Sequence, residues 1–551
     1  MKSTSRNARS IFFNELLFLK DANTNRQNKS LEFYCAIPNY KVNNAAWLSG
    51  IIYLLYMIQF YTFIAHLPCI VGTSPTNQYQ LDEMTISMAN NTSRSSNNKQ
   101  SIDNLKTSGF DRRMSIAKTS LNIGRRWAGN SVSGMFLNKE ARTARNQIFM
   151  EEQAHYLAEE LGKLKGSVVK IGQMLAIYGE HILPPEITRA LQTLNDDTAT
   201  LAWPKIEQNL RQLLGNKLHE LQVDPVPIGT ASLAQVHRAT VIATGEQVVL
   251  KIQYPGVADA INSDLALFKS LLKVSNIVPQ TRSLDAWFEE IRDLLHHEVD
   301  YEAEADTTER FYNRLIDDAR YVVPKINRHY STKRLLCMSY EPGISVVSDA
   351  LQLLPLERRN AIGQAAIEIM IQEIFVWGEM QTDPNFGNYL VRVARDETEI
   401  DKLVLLDFGA IRQFDNNLLT IAHNLLRAGY YHDHQSMMSA MTGYDFFDTM
   451  SDKVRSDIAS LFLLATEPFS DPVINTDMPA NCLDEQQRYI WANSKLHTRL
   501  SNDATQAMQS FEFNLPPKEF MFISRKFIGA YTFLTVLDAR TDSNNLVKPF
   551  L

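Results

Sequence analysis

Asp383 and Asn388, in the run GEMQTDPNFGNYLV (378–391), and Asp407, closing the apolar run LVLLD, stand out by type and spacing. Magnesium takes hard oxygen ligands, and a carboxylate with a side-chain amide supplies them. A carboxylate beside such a site can also receive a hydroxyl proton. An Asx-turn capped by Pro and Gly uses the same residues, and Asp407-Phe408-Gly409 alone recurs by chance. The ordered pair, each part at the mouth of a strand-like run, points to a metal–nucleotide site.

The D-x-x-x-x-N spacing is that of a kinase catalytic loop, in which the Asp receives the proton and the Asn holds magnesium. Asp407 is then the second metal ligand. The phosphates need a cation, and Lys251 ends the strand-like QVVLK as the lysine of V-A-I-K does, pairing there with a helical Glu. The candidate partners are Glu298 and Glu304 in HEVDYEAEA, and spacing does not choose between them. The stretch PIGTASLAQ (227–235) stands where a glycine-rich loop would cover the phosphates. Gly229 is its one glycine, and Ala231 and Ser232 still permit a close backbone. Met338 and Tyr340, on the strand-like RLLCMSYE, complete the cofactor-binding set. No Ala-Pro-Glu follows Asp407, so the peptide-binding activation segment of an ordinary protein kinase is missing.

Elements of both kinds must position these groups. Residues 1–44 form a variable N-terminal segment, 45–71 an apolar run, and 72–115 a linker rich in Asn, Ser and Thr that cannot bury enough apolar surface to order itself. Amphipathic helical periodicity fills 116–221. Residues 222–341 read as a small lobe with two strands joined at Ala243-Thr244-Gly245, and 342–551 as a mainly helical lobe. The expected class is α+β, with two lobes and no internal repeat.

The 551 residues suffice for several cores, with ordinary hydrophobic (45%) and charged (21%) content. A net charge of -7 without long basic runs argues against a nucleic-acid partner. Cys35, Cys69, Cys337 and Cys482 are scattered, which suggests neither a disulfide framework nor a metal site. The apolar run 45–71 is long enough to span a bilayer, and too long and too far from the N-terminus for an ordinary signal peptide. Contact with a membrane there and an apolar helix packed on its own domain are the two readings.

Taken in order, these residues resemble the UbiB/AarF-type atypical kinases, the family of the ADCK and coenzyme Q kinase-like proteins. The resemblance covers roughly 116–551, and its most specific element is Lys170-Ile171-Gly172-Gln173, which fits the K-x-G-Q signature. Glu298-Val299-Asp300 fits the ExD element, and Gln381 to Asn388 fits the QTDPNxxN loop. Gly229-Thr230-Ala231-Ser232 departs from the family's A-A-A-S loop, and FMFISRKFIGAYTFLTVLDARTD looks like the closing helix of members without C-terminal spans.

The resemblance implies a protein-kinase-like fold with a helical K-x-G-Q extension laid over the protein-substrate site. It implies an adenine nucleotide (ATP or ADP) with magnesium, ATPase activity and a role in isoprenoid-quinone or related lipid metabolism, beside that pathway's proteins. Lys170 and Gln173 would reach the site from the extension, and the chain would work at a cytoplasmic or organelle-matrix face, at the periphery of a membrane. A nucleotide-binding switch acting on partner proteins is the alternative, and an ordinary Ser/Thr protein kinase is disfavoured.

Overall fold

The computed structural model describes Glu152, Tyr156, 167–178, Leu191 and 200–551, apart from 232, 275–283, 384 and 509–517. All of these lie in one unit, Ala46–Leu551. The expectations for 1–44, 45–71 and 72–115 fall outside the described residues.

Apolar positions three and four apart make α1 (Ser167–Tyr178) one-sided, with Val168, Ile171 and Leu175 fully buried. After α2 (Trp203–Leu214) comes a sheet of β1 (Leu221–Thr230), β2 (Ala234–Val241), β3 (Gln247–Gln253) and, once β4 (Tyr321–Val322) has joined a second sheet, β5 (Leu335–Ser339). All its pairings are antiparallel. In β3 the period-two alternation sends Val248, Leu250 and Ile252 into one cluster and Val249 into another. Lys251 lies on the Val249 side. The first cluster is completed by α1 and by α3 (Val257–Val274) and α4 (Leu284–Glu298), through Ile261, Leu265 and Ile291.

The turn between β2 and β3 falls at Gly245, whose φ of +72° is easy for glycine alone. The stretch expected to be a loop over the phosphates is mostly strand. β1 runs through Pro225 and Pro227 as an edge strand, where a missing N–H costs no ladder bond, and its register shifts twice around Pro227. Only a tight turn remains, in which the Ala231 N–H donates to the Ala234 carbonyl at 2.8 Å.

Helix α5 (Tyr301–Leu315) starts at Asp300, whose carboxylate accepts from the Ala303 N–H. Tyr301 and Ala305 join the sheet's second cluster, while Phe311 and Leu315 enter the core of the large lobe. There β6 (Ile344–Ser345), α6 (Leu356–Phe375), β7 (Glu379–Gln381), β8 (Tyr389–Arg392), β9 (Lys402–Leu405) and β10 (Ile411–Gln413) follow. They make a mixed sheet ordered β4-β9-β8-β6 and the pair β10-β7. α7 (Asn416–Tyr430), capped by Asp415, starts at once after β10. α8 (Lys518–Val536) returns to bury Tyr531, Phe533 and Leu534 in the same core. Gly363 lets α6 approach the segment after α8, since a Cβ there would lie 2.6 Å from that of Ala539. No described helix is long and apolar enough to cross a membrane.

The result is an α+β protein-kinase-like fold: a small antiparallel-sheet lobe and a mainly helical lobe.

Candidate nucleotide and metal site

Two antiparallel pairings set the loop after β7. Gln381 stands opposite Ile411, and the Thr382 N–H and hydroxyl both donate to the Ala410 carbonyl, at 3.1 and 2.8 Å. Tyr389 stands opposite Leu405, and the Leu406 N–H donates to the Asn388 carbonyl at 2.9 Å. The loop 382–388 is therefore folded against Asp407–Gly409. Inside it, Asn385 Oδ1 accepts from the Gly387 N–H at 2.9 Å, so the Asx-turn is real as well. Asn388 Nδ2 donates to Asp383 Oδ2 at 2.9 Å. The Gln381 amide donates to the Asp407 carbonyl at 3.0 Å and accepts from the Asp383 N–H.

Lys251 on β3 meets two carboxylates. Lys251 Nζ lies 2.7 Å from Glu304 Oε1 and 3.0 Å from Asp407 Oδ2, with the Tyr301 ring centroid 5.3 Å away. Asp407 Oδ1 accepts from the Gly409 N–H at 2.8 Å. Glu304 is 3% exposed, and Asp407 keeps a third of its side chain accessible. Burial pushes the Glu304 carboxyl up to about 7, against the pull of Lys251. Burial also works to raise Asp407, but the Lys251 ammonium and the Gly409 N–H hold it below the usual carboxylate range, helped by Lys170. Burial opposes the charge on Lys251, yet Asp407 and Glu304 leave its pKa well above the ordinary value.

The choice left open by spacing is made by geometry. Glu304, on α5, joins Lys251, whereas Glu298, ending α4, joins Lys170 of α1 at 2.6 Å. Gln173 lies on α1 as well, with its side chain outside the described residues, as Ser232 is altogether. Ala231 is exposed in the turn between β1 and β2.

On the Lys251 face of the sheet, Ala234, Val236, Val249, Met338 and Tyr340 share one apolar cluster. Met338 is opposite Val249 in the ladder, and the Arg238 guanidinium stacks 4.1 Å over the Tyr340 ring. This apolar face of the sheet lies on the same side as Lys251. Sequence reasoning named Met338 and Tyr340 and missed Ala234, Val236 and Val249. Their signal was the alternation on either side of Lys251. It missed Gln381 too, though that residue stands inside the loop motif.

Among the described residues, no three carboxylate, imidazole or thiol side chains gather as a metal cage. The amide oxygen of Asn388 and the carboxylate of Asp407 are hard donors of the kind magnesium takes, and that ion keeps waters and phosphate oxygens among its ligands.

A sheet-borne lysine paired to a helical glutamate, above a helical lobe carrying D-x-x-x-x-N and Asp-Phe-Gly, defines a protein-kinase-like nucleotide fold. Residues 193–441 match the family described as ABC1 atypical kinase-like domain. Through that domain the chain is similar to the UbiB/AarF-type atypical kinases.

Relatives include the mitochondrial atypical kinase coq-8 of Caenorhabditis elegans, 28% identical over 74% of this chain and 52% of its own. The mitochondrial atypical kinase COQ8 of Schizosaccharomyces pombe is 28% identical over 73% of this chain and 63% of its own. COQ8 of Saccharomyces cerevisiae is 26% identical over 80% and 84%. The chain thus spans about half to two thirds of the first two relatives' length.

Proposed function

We propose that this protein is an ATP-binding atypical kinase or ATPase that supports isoprenoid-quinone (ubiquinone) or related lipid metabolism. The observation that carries the reading is Lys251, held at once by Glu304 and Asp407 beside the Asp383–Asn388 loop. Lys251 would hold the phosphates, and Asn388 and Asp407 would hold magnesium. Bound there, the metal would neutralise charge on the phosphates as they react. Asp383, oriented by Asn388 and Gln381, would receive the proton of an acceptor hydroxyl or align a water. Adenine would lie against the sheet face of Ala234, Val249, Met338 and Tyr340, with Ala231 and Ser232 beside the phosphates.

The acceptor would be small. Helix α7 begins directly after β10, which leaves no extended platform for a peptide, and α1 and α4 bring the Lys170–Glu298 pair to the site's flank. Kinship with COQ8 proteins, named mitochondrial, supports an organelle-matrix face and lipid or quinone-pathway partners.

The test is magnesium–ATP turnover by the full chain across lipids and quinone precursors, with Asp407→Asn as control. Removing that carboxylate leaves phosphate and metal charge uncompensated. The stabilisation by ATP, about 2.7 kcal/mol at a hundredfold excess over Kd, should vanish in Asp407→Asn. An unchanged thermal shift would sink the assignment. Binding without turnover in every lipid would favour a nucleotide-dependent switch.

A further inference from the structure

The large lobe buries an ion pair directly beneath the site, joining two helices that carry none of its ligands. Lys526 of α8 and Glu373 of α6 are 4% and 3% exposed, with Nζ 2.8 Å from Oε2. Burying two charges is costly unless further hydrogen bonds hold them. Here the groups that face the pair stand at both ends of the site loop. Burial pushes the Glu373 carboxyl up, and the Lys526 ammonium, with the Gln381 backbone N–H at the loop's entry, pulls it back. Lys526 Nζ donates to the Tyr389 hydroxyl at 3.3 Å, at its exit. Gln381 is the residue whose amide grips the Asp383 N–H and the Asp407 carbonyl, and Tyr389 directly follows Asn388. Packing alone gives the loop incomplete support. Ala366, Ile369, Phe386, Tyr389, Phe533 and Lys526 line a cavity of about 30 Å³, room for about one water.

We infer that Lys526 is a positioning residue: with Glu373 it clamps both ends of the 381–389 loop and sets the spacing of Asp383, Asn388 and Asp407. The closing helix thereby acts on the site without touching nucleotide. A small displacement of reacting groups is expensive in rate, whereas the nucleotide keeps its contacts to the other lobe. The inference rests on the nucleotide reading above for its catalytic consequence, though not for its structural one.

The test uses the full chain as parent, with Lys526→Met/Glu373→Gln, which removes both charges together, and Lys526→Arg, which keeps the cation. In the double variant, amides of 381–389 should exchange with solvent about tenfold faster while those of β3 and β5 stay parental. Magnesium–ATP turnover should fall by about tenfold or more, with nucleotide affinity in the absence of magnesium unchanged. Lys526→Arg should recover most of that loss. A double variant with parental loop exchange and turnover overturns the inference, as does an Arg variant no better than the double variant. Should the charge variants fail to fold, Tyr389→Phe carries the test: faster loop exchange and slower turnover support the clamp, and parental values overturn it. A parent chain that neither binds nor turns over magnesium–ATP sinks the nucleotide reading, and the exchange comparison then decides the clamp alone.

Discussion

Asp383 and Asp407 are both loop carboxylates, yet their partners differ. Asp407 meets Lys251 and the Gly409 N–H, whereas Asp383 Oδ2 accepts from the Asn388 amide. A proton-accepting or aligning carboxylate acts mainly in the transition state. Asp383→Asn should therefore lower kcat by about 10²–10⁴ with little change in nucleotide affinity. Turnover and nucleotide titration on the same preparation check this. An affinity loss as severe as in Asp407→Asn would make Asp383 a ligand instead.

Glu304 gives a signed pH dependence. Its carboxyl is raised from 4.5 to about 7, so the folded chain keeps a proton there that the unfolded chain releases. Stability from this group is fully present below about 4.5 and is lost as pH rises through about 7. The Tm of the parent minus that of Glu304→Gln should therefore fall between about pH 5 and pH 7.5. A difference that rises over that range would mean the ion pair with Lys251 outweighs burial.

At the scale of elements, α5 couples the two lobes. It carries Glu304 to Lys251, stacks Phe311 on Phe408 with ring centroids 4.7 Å apart, and sends Arg310 and Arg314 to the buried Glu379 of β7. Helix α1 contributes differently. Its apolar face is core, whereas Lys170 and Glu298 form a pair whose side chains are 25% and 34% exposed. A pair that open to solvent contributes at most about 1 kcal/mol to stability. Lys170→Ala should therefore leave Tm nearly unchanged while altering nucleotide affinity or releasing self-phosphorylation, because its charge also reaches Asp407. Equal affinity, turnover and self-phosphorylation in variant and parent would remove α1 from the site.

For the whole molecule, the question is where the folding unit starts. Val168, Ile171, Met174, Leu175 and Leu191 share one cluster with Ile261, Leu265 and Ile291 of α3 and α4. Burying each such side chain is worth about 1.5–3 kcal/mol, and a domain's net stability is only about 5–15 kcal/mol. A chain beginning near Asp111 keeps all of them and should be soluble, folded and nucleotide-binding. One beginning at Leu201 loses all five and should aggregate. Circular dichroism and nucleotide thermal shift on both separate the outcomes, and aggregation of the longer chain would place part of 1–110 in the architecture.

The sequence by itself singled out the candidate groups. Asp383, Asn388, Asp407 and Lys251 were legible because local spacing, strand-like runs and charge type are properties of neighbours along the chain. The α+β class followed from periodicity in the same way, and the closing helix from the family resemblance. The strand through Pro225 and Pro227 was hidden, because proline signals a break unless the strand is at an edge, and edges are defined only by pairing. Tertiary structure alone assigned Glu304 to Lys251 and Glu298 to Lys170, since α4 and α5 present their carboxylates to different helices and strands. It alone also brought Lys526 and Glu373, far apart in sequence, beneath the loop. A buried charge finds its partner in three dimensions, through desolvation and distance, and neither quantity is written in the order of the residues.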